Sequence, residues 1–411
     1  MTDRAPDEAD PFGLDDFDVA DLKTRPGTKW AHAGGRLAAW VADMDFPVAP
    51  AIRDRLIALA RTDVGYPHWP AIARSPLPER FAERMATRFG WAPDVGRLHE
   101  LADVMQGVAL AIHHLTRPGD AIVLHMPAYH PFLETIAASG RRIVPVPAEL
   151  VDGAWQFDHD ELAARLRGEA DDPVRLLLLC HPHNPTGHVF TRPELEQLAE
   201  IAGRHDLTVV SDEVHAELVH PPHGHVPLAT IGEDVAARTV TVTSASKAFN
   251  LAGLRWAILH AGHDGLQSAL DALPPHYFGA PNLMGVAATE AAWSDGDEWQ
   301  RAVAARLDFN RTHLAELLAA HLPGVGYAVP DATYLAWLDF GALGLGDDPA
   351  VAMRERGVEL SGGPRFGPQG RGFARLNFAT SARVLERIVM AMAGSPADGD
   401  LQPEAGATRE R

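Results

Sequence analysis

The chain has little cysteine, no long apolar run and no leader-like N-terminus. Cys180 is the sole cysteine among the 411 residues, so no disulfide can form within the chain and an oxidising compartment is not indicated. No apolar run approaches the ~20 residues that span a bilayer, and the acidic N-terminus lacks the basic region and apolar core of a secretory signal. We therefore expect a soluble, cytoplasmic protein with no membrane partner.

Positive charge is also scarce. Lys and Arg total 36 against 55 Asp and Glu, which gives a formal net charge of −19 at pH 7. A chain this acidic repels the phosphate backbone of nucleic acids, so we expect no nucleic-acid partner. An anionic small molecule is still compatible with this charge, because a few local cations can hold it. The content of 46% hydrophobic and 22% charged residues is that of a globular protein, and this length favours two or more domains.

The two ends differ in composition from the middle of the chain. Residues 1–21 contain eight acidic side chains, and residues 394–411 are rich in Gly, Pro, Ala and Asp but poor in large apolar residues. Such segments bury little apolar surface, so we expect both ends to be loosely attached.

The middle alternates short apolar or β-branched runs with segments of helical spacing. Strands are predicted at 121–125, 142–146, 174–180, 207–211 and 238–244. Helices are predicted from Gly107, at 132–139, and after a capping box formed by Thr191 and Glu194. This alternation predicts a mostly parallel sheet with helices on both faces, and such sheets bind ligands at the carboxyl ends of their strands.

Polar residues follow three of these strands. Asn184 comes after the strand 174–180, Asp212 after 207–211, and Lys247 after 238–244. Each residue alone is weak evidence, because a strand-end Asp is usually a turn or cap and a lone Lys is usually a surface charge. Together they suit pyridoxal phosphate, since a Lys amine forms a Schiff base with its aldehyde and a carboxylate pairs with its protonated pyridine nitrogen.

The other parts of such a site can be sought by their chemistry. The helix predicted from Gly107 offers N–H groups to the phosphate, and Arg255 offers a guanidinium fork. Tyr129 follows the strand 121–125 and is placed to cover the ring. Arg375, in the strand-like run 372–378, could clamp a substrate carboxylate.

Four strings resemble one known family. HPHNPTG (181–187), SDEVH (211–215) and SASKAFNLAGLR (244–255) are similar to the fold-type I pyridoxal-phosphate enzymes, the aspartate aminotransferase superfamily. With WVADMDF (40–46) they resemble its cystathionine β-lyase, or C–S lyase, branch. The resemblance extends from about residue 40 to residue 375.

The resemblance implies an α/β fold-type I architecture. A large pyridoxal-phosphate-binding domain with a mostly parallel sheet of the seven-stranded type is expected at 50–287. A smaller α/β domain is expected from the N-terminal segment 1–49 and the segment 288–393, followed by a flexible tail at 394–411.

The resemblance also implies roles around the cofactor ring. Lys247 is expected to form the Schiff base, Asp212 to pair with the pyridine nitrogen, and Asn184 to pair with the phenolic oxygen. Tyr129 is expected to stack on the ring. His215 stands where many aminotransferases have Tyr and matches the lyase branch; it could contact the phenolic oxygen or simply fill space.

Further implied roles concern the phosphate, the substrate and the neighbouring subunit. Arg375 is expected to clamp the substrate carboxylate, with the backbone of Ala42 beside it. Tyr66 is expected to reach the phosphate of a neighbouring subunit, which implies a homodimer with shared active sites. The residues expected around the phosphate within one subunit are Val108, Ala109, Ser244, Ser246 and Arg255.

The implied activity is β-elimination on a cysteine S-conjugate, such as cystathionine, to give a thiol, pyruvate and ammonia. Lys247 would take the Cα proton as general base. An aminotransferase of class I or II is the alternative, because it would use the same residues. A regulator or binding module that retains the cofactor fold is a third reading, against which the intact Lys247, Asp212 and Arg375 argue.

Three other patterns have simpler readings. Ser244 and Lys247 match the S-x-x-K motif of penicillin-binding enzymes, but the S-D-N and K-T-G strings of that family are missing. The histidines of HPPHGH (220–225) could suggest a metal, but a solvated loop is the simpler interpretation, so no metal is expected. Cys180 is read as a small buried apolar residue.

Overall fold

The computed structural model describes residues 10–66, 75–168, 173–274, 277 and 280–394. The expected looseness of residues 1–9 and 395–411 lies outside this described part of the chain. Its helices are α1 Val19–Lys23, α2 Thr28–His32, α3 Pro50–Thr62, α4 Leu77–Phe89, α5 Val104–Leu115, α6 His130–Ala138, α7 His159–Gly168, α8 Arg192–Arg204, α9 Glu233–Ala236, α10 Asp264–Asp271, α11 Leu283–Asp295, α12 Asp297–His321, α13 Pro349–Glu355 and α14 Ala382–Met392. Its strands are β1 Leu37–Ala38, β2 Leu98–Leu101, β3 Ala121–Met126, β4 Arg142–Val151, β5 Ala154–Phe157, β6 Val174–Cys180, β7 Thr208–Asp212, β8 Thr239–Thr243, β9 Ala257–Ala261, β10 Gly326–Tyr327, β11 Leu335–Asp339, β12 Val358–Glu359, β13 Ser361–Gly362 and β14 Phe373–Asn377.

The central sheet is mixed and mostly parallel, which confirms the predicted fold class. Its strand order is β2-β9-β8-β7-β6-β3-β4-β5. The inner strands β8, β7, β6, β3 and β4 run parallel, whereas β9 is antiparallel to both of its neighbours. The eighth strand, β5, is the antiparallel hairpin partner of β4 at one edge.

Helices cover both faces of this sheet because its inner strands are apolar on both sides. Leu176 and Leu178 of β6 pack in one cluster with α5, α6 and α10. Leu177 and Leu179 pack in another cluster with α7 and α8. The continuous apolar run at 174–180 is therefore a strand buried on two faces, as its composition predicts.

A second unit combines residues from both ends of the chain. Its antiparallel sheet has the order β10-β11-β14-β13, and β1 pairs in parallel with β12. One apolar cluster joins Leu14 and Trp30 near the start of the chain to Leu335 and Val389 near its end. The exact limits of the two expected domains, 1–49, 50–287 and 288–393, stay a prediction.

Residues 10–21 correct the expectation of a loosely attached N-terminus. Leu14, Phe17 and Val19 are buried, and Asp18 caps α1 through hydrogen bonds from the N–H groups of Ala20 and Asp21. Asp10, Asp16, Asp18 and Asp21 are exposed, Asp15 is half-buried and pairs with Arg306, and the few apolar side chains pack into the core. The acidic composition of the segment does not reveal that these three apolar side chains are buried.

Helix α5 begins three residues earlier than the sequence indicated. Its N-cap is Asp103, and its first residue is Val104 rather than Gly107. A Cβ at Gly107 would lie 2.7 Å from Val242 Cγ1, so this glycine lets the helix pack closely on β8. The glycine marks a packing contact within α5 and not its start.

Among the described residues, no helix is both long and apolar enough to cross a membrane.

Candidate active site

A cavity of about 460 Å³ opens at the carboxyl edge of the central sheet. Its lining includes nine of the residues singled out from the sequence: Ala42, Tyr129, Asn184, Asp212, His215, Ser244, Ser246, Lys247 and Arg255. It also includes residues that the sequence analysis missed: Val41, Asp43, Ala102, Asp103, Val104, Met105, Cys180, Val214, Ala252 and Trp256. Tyr66, Val108, Ala109 and Arg375 do not line it.

Strand register brings the polar residues together. Cys180 of β6 pairs with Asp212 of β7, and Asp212 pairs with Val242 of β8, so the three strands end at one level. Because the strands are parallel, the turns that follow them meet at the same edge of the sheet. Asn184, Asp212 and Lys247 therefore share one cavity although they lie far apart in sequence.

The amine of Lys247 lies inside this cavity. Its Nζ donates to the carbonyl oxygen of Ala42 at 3.0 Å. Removal from bulk water lowers the pKa of Lys247, and the nearby Asp43 carboxylate opposes that shift. A lowered pKa leaves a larger fraction of the amine uncharged at neutral pH, and only the uncharged amine can act as a nucleophile or base.

Asp212 is a buried carboxylate with little compensation. Its Oδ1 accepts one hydrogen bond, from the N–H of Val214 at 3.1 Å, and it has no salt-bridge partner among the described residues. Desolvation raises the pKa of Asp212 to about 7. A cationic ring nitrogen in the cavity would reverse this shift by stabilising the charged carboxylate.

Arg375 lies behind the cavity wall and contacts it through Asn184. Its Nη1 donates to Asn184 Oδ1 at 2.9 Å, and its Nη2 donates to the carbonyl oxygen of Trp40 at 3.1 Å. Arg375 is only 3% exposed, its Nε has no hydrogen-bond partner, and no Asp or Glu of the described residues pairs with it. A buried cation without a counter-ion is costly, so this arginine is suited to an anionic ligand.

The N-terminus of α5 borders the cavity and corrects two expected contacts. Val104 and Met105 line the cavity, whereas Val108 is fully buried against the sheet and Ala109 is exposed. The first N–H groups of a helix have no partner inside the helix, but those of its second turn do. Val104 and Met105, rather than Val108 and Ala109, are therefore positioned to offer N–H groups to an anion.

Asp103 caps this helix and pairs with a cation. Its carboxylate accepts from the N–H of Gln106 at 2.8 Å and also pairs with Arg255. The side chain of Gln106 accepts from the N–H of Ala102, the residue before the N-cap, at 2.8 Å. The spacing D-x-x-Q was the sequence signal that could have placed the helix start correctly.

The two serines differ in what they can still bind. Ser244 Oγ donates to the carbonyl oxygen of Trp256 at 2.6 Å and accepts from the N–H of Ser246. The hydroxyl proton of Ser244 is thus already used. Ser246 Oγ makes no hydrogen bond to another described residue, so it is the serine hydroxyl available to a ligand.

Aromatic and imidazole rings complete the walls. Tyr129 lies between β3 and α6, and desolvation raises the pKa of its hydroxyl. Burial lowers the pKa of His215 to about 3, so its ring is neutral at physiological pH, and its Nδ1 is buried without a partner. The hydroxyl of Tyr334, a residue that the sequence analysis missed, donates to the carbonyl oxygen of Ala42 at 2.9 Å.

The remaining candidates lie elsewhere. Tyr66, just beyond α3, is fully exposed in the single chain. His220 and His225 are buried rather than solvated: His220 pairs with the carbonyl oxygen of Thr333 at 2.8 Å, and His225 pairs with Glu213 at 3.0 Å. No group of three or more His, Cys, Asp or Glu with metal-binding geometry occurs in the described part of the chain. Cys180 is buried, as expected, but it also lines the cavity.

Comparisons with known proteins agree with this site. The model of the family "Aminotransferase class I and II" matches residues 103–392. A putative cystathionine beta-lyase of Mycobacterium tuberculosis is 35% identical over 94% of this chain and 98% of its own length. The cystathionine beta-lyase PatB of Bacillus subtilis is 35% identical over 87% of this chain and 93% of its own.

A solved structure shows the same architecture. The putative PLP-dependent beta-cystathionase of Corynebacterium diphtheriae matches with a TM-score of 0.84 and 30% identity, over 92% of this chain and 98% of its own. The family model, the relatives and the fold agree with one another. This chain belongs to the class I and II aminotransferase family, within the branch of the cystathionine β-lyases.

Proposed function

We propose that this chain is a pyridoxal-phosphate-dependent carbon–sulfur β-lyase. Its substrate is a small amino acid, cystathionine or another cysteine S-conjugate, and its products are a thiol, pyruvate and ammonia. One observation carries the proposal: the Lys247 amine and the Asp212 carboxylate line the same cavity. Among the described residues, neither Asp212 nor the buried Arg375, which donates to Asn184 in the cavity wall, has a salt-bridge partner.

The residues present fit pyridoxal phosphate by their unused bonding capacity. Asp212 is suited to the ring nitrogen, and the amide nitrogen of Asn184 can donate to the phenolic oxygen while its Oδ1 is held by Arg375. Tyr129 can cover the ring. The phosphate would be held by Val104, Met105, Ser246 and Arg255 at the start of α5 and the end of β8.

When bound, pyridoxal phosphate supplies an aldehyde that links to the substrate amine and a protonated ring that withdraws electrons from Cα. Asp212 keeps the ring nitrogen protonated, because its buried charge is stabilised by that proton. Arg375 holds the substrate carboxylate and so fixes the orientation of Cα. Lys247 then accepts the Cα proton, for which its lowered pKa prepares it.

The bond that breaks next decides the reaction. In elimination the Cβ–S bond opens with its electron pair on sulfur, and the thiolate leaves easily because thiols are fairly acidic. One water is consumed overall as the three-carbon fragment becomes pyruvate and ammonia. Transamination would instead require Lys247 to deliver the proton to the cofactor. The strings WVADMDF and SDEVH and the lyase names of the relatives favour elimination.

The proposal includes a homodimer. Tyr66 is fully exposed in the single chain, yet it follows α3, which packs against α11 beside the turn that carries Arg255. A site completed by the Tyr66 hydroxyl of a second copy would need a dimer, and two-fold symmetry is the commonest among soluble oligomers. The cytoplasmic location stays a prediction.

The substrate can be identified with a panel of cysteine thioethers. Purified protein loaded with pyridoxal phosphate is incubated with cystathionine, S-alkyl cysteines and larger S-conjugates, with and without an added keto acid. We expect pyruvate from at least one thioether without any keto acid. Turnover that requires the keto acid and yields its amino acid would replace the lyase by the aminotransferase.

A further inference from the structure

The corner of the cavity suited to the phosphate already contains an anion. Asp103 lies at the N-cap of α5, where its Oδ1 accepts from Gln106, and its Oδ2 pairs with Arg255. Both side chains line the cavity, together with Val104, Met105 and Ser246. The Asp103 carboxylate therefore already binds the N-terminus of α5 and the Arg255 guanidinium, the two groups that a phosphate would use.

Helix capping does not explain why this residue is charged. Asn and Ser cap helices about as well as Asp does, because a neutral side-chain oxygen accepts the same backbone hydrogen bond. The negative charge matters for the second contact, with Arg255, and for any anion that enters the corner. A phosphate monoester carries between one and two negative charges near pH 7, so Asp103 repels it and competes with it.

The backbone of the turn that carries Arg255 is held in place by close packing. The φ of Arg255, 54°, lies in the left-handed region, which is uncommon for a residue with a side chain. Helix α11 approaches this turn so closely that a Cβ at Gly285 would lie 2.5 Å from the carbonyl oxygen of Leu254. The tight approach holds the backbone of this turn, whereas the Arg255 side chain is 58% exposed and its guanidinium can turn from Asp103 to another anion.

We propose that Asp103 is a built-in competitor of the cofactor phosphate. When no phosphate is bound, its carboxylate neutralises Arg255 and the first turn of α5. When pyridoxal phosphate binds, Arg255 turns from Asp103 to the phosphate, and the carboxylate stays nearby as a like charge. Asp103 thus stabilises the cofactor-free chain and weakens its affinity for the cofactor. This inference rests on the proposed function, because it requires pyridoxal phosphate to be the ligand.

The test compares Asp103→Asn with the wild type. The variant keeps the capping oxygen and removes only the charge. Cofactor-free protein is titrated with pyridoxal phosphate, and the dissociation constant is read from absorbance and from quenching of tryptophan fluorescence. We expect Asp103→Asn to bind about tenfold more tightly, which corresponds to about 1.4 kcal/mol. We also expect the melting temperature of its cofactor-free form to be lower.

A matched control is Asp348→Asn. Asp348 caps α13 through the N–H of Ala350 at 3.2 Å and does not line the cavity, so its charge should leave cofactor affinity unchanged. Inorganic phosphate is a second probe, and it should raise the melting temperature of Asp103→Asn more than that of the wild type.

The outcomes separate the two claims. A wild type that binds no pyridoxal phosphate contradicts the proposed function itself. If the wild type binds it, equal or weaker binding by Asp103→Asn overturns the inference and leaves the proposed function standing. Equal tightening by Asp348→Asn also overturns it, since the effect would then come from net charge alone.

Discussion

Asn184 Oδ1 accepts a hydrogen bond of 2.9 Å from Arg375 Nη1, and this bond joins the two halves of the proposed site. Asn184 follows β6 of the central sheet, whereas Arg375 lies in β14 of the second sheet. The bond leaves the Asn184 amide nitrogen free to face the cavity and fixes the arginine beside it. Cofactor and substrate carboxylate would therefore be held by two residues that orient each other.

Arg375→Ala should reduce kcat/KM by about 100-fold, because a charge-assisted hydrogen bond to a carboxylate contributes about 1.5–3 kcal/mol. Steady-state kinetics with a cysteine thioether measure the loss. Arg365→Ala is the control, since Arg365 is exposed and contacts His130 rather than the cavity. If Arg365→Ala lost activity and Arg375→Ala did not, Arg375 would not be the residue that holds the substrate carboxylate.

Asp212→Asn should retain part of the cofactor but lose activity by about two to three orders of magnitude. The amide preserves the shape of the side chain but cannot hold a proton on the ring nitrogen by its charge. The visible spectrum reports cofactor content, and pyruvate formation reports turnover. Asp206→Asn, at an exposed turn before β7, is the control. Unchanged turnover in Asp212→Asn would mean that another group pairs with the nitrogen.

Tyr66→Phe should weaken binding of pyridoxal phosphate about fivefold, the effect of losing one neutral hydrogen bond of about 1 kcal/mol. Sedimentation should show a dimer for both proteins. Tyr327→Phe removes the hydroxyl that donates to the carbonyl oxygen of Arg311 at 3.2 Å and should leave cofactor affinity unchanged. A fully active monomer would contradict the shared site.

His260 should make folding stability depend on pH. Both of its ring nitrogens are buried without partners, and burial lowers its pKa to about 4 from an ordinary 6.5. The unfolded chain therefore binds a proton that the folded chain does not. The part of the folding stability that depends on neutral His260 is therefore complete above about pH 6.5 and is lost as the pH falls toward 4. The loss from this group between pH 7.5 and 5 is about 2 kcal/mol.

Urea unfolding of the wild type and His260→Leu at pH 7.5 and pH 5 tests this dependence. The wild type should lose about 2 kcal/mol more than the variant over this interval. His113→Gln, at an exposed position of α5, should behave like the wild type. Equal losses in the wild type and in His260→Leu would show that His260 is not the group responsible.

Local sequence patterns predicted the strands of the sheet and the positions of Asn184, Asp212 and Lys247 after them. Each strand and the turn that follows it depend on a few neighbouring residues. The apolar run at 174–180 and the capping box of Thr191 and Glu194 appear as predicted. The predicted start of α5 was wrong, because Gly107 allows a close contact with Val242, which is distant in sequence, and does not form a local turn.

Contacts between remote segments escaped prediction for the same reason. The Asp103–Arg255 pair and the hydrogen bond from Tyr334 to Ala42 join positions more than 150 residues apart. Nothing near either position in the sequence indicates its partner. The burial of His220 likewise depends on Thr333, 113 residues further along the chain, which the local Pro/Gly-rich pattern does not reveal.

The most direct test of the central claim is the product balance from one cysteine thioether. Wild-type protein loaded with pyridoxal phosphate receives the thioether without any keto acid, and pyruvate, ammonia and free thiol are measured over time. Lys247→Ala, treated in the same way, is the control and should form no product above background. The lyase account predicts the three products in equal amounts from the wild type. Turnover that occurs only with added keto acid, and releases no thiol, would contradict it.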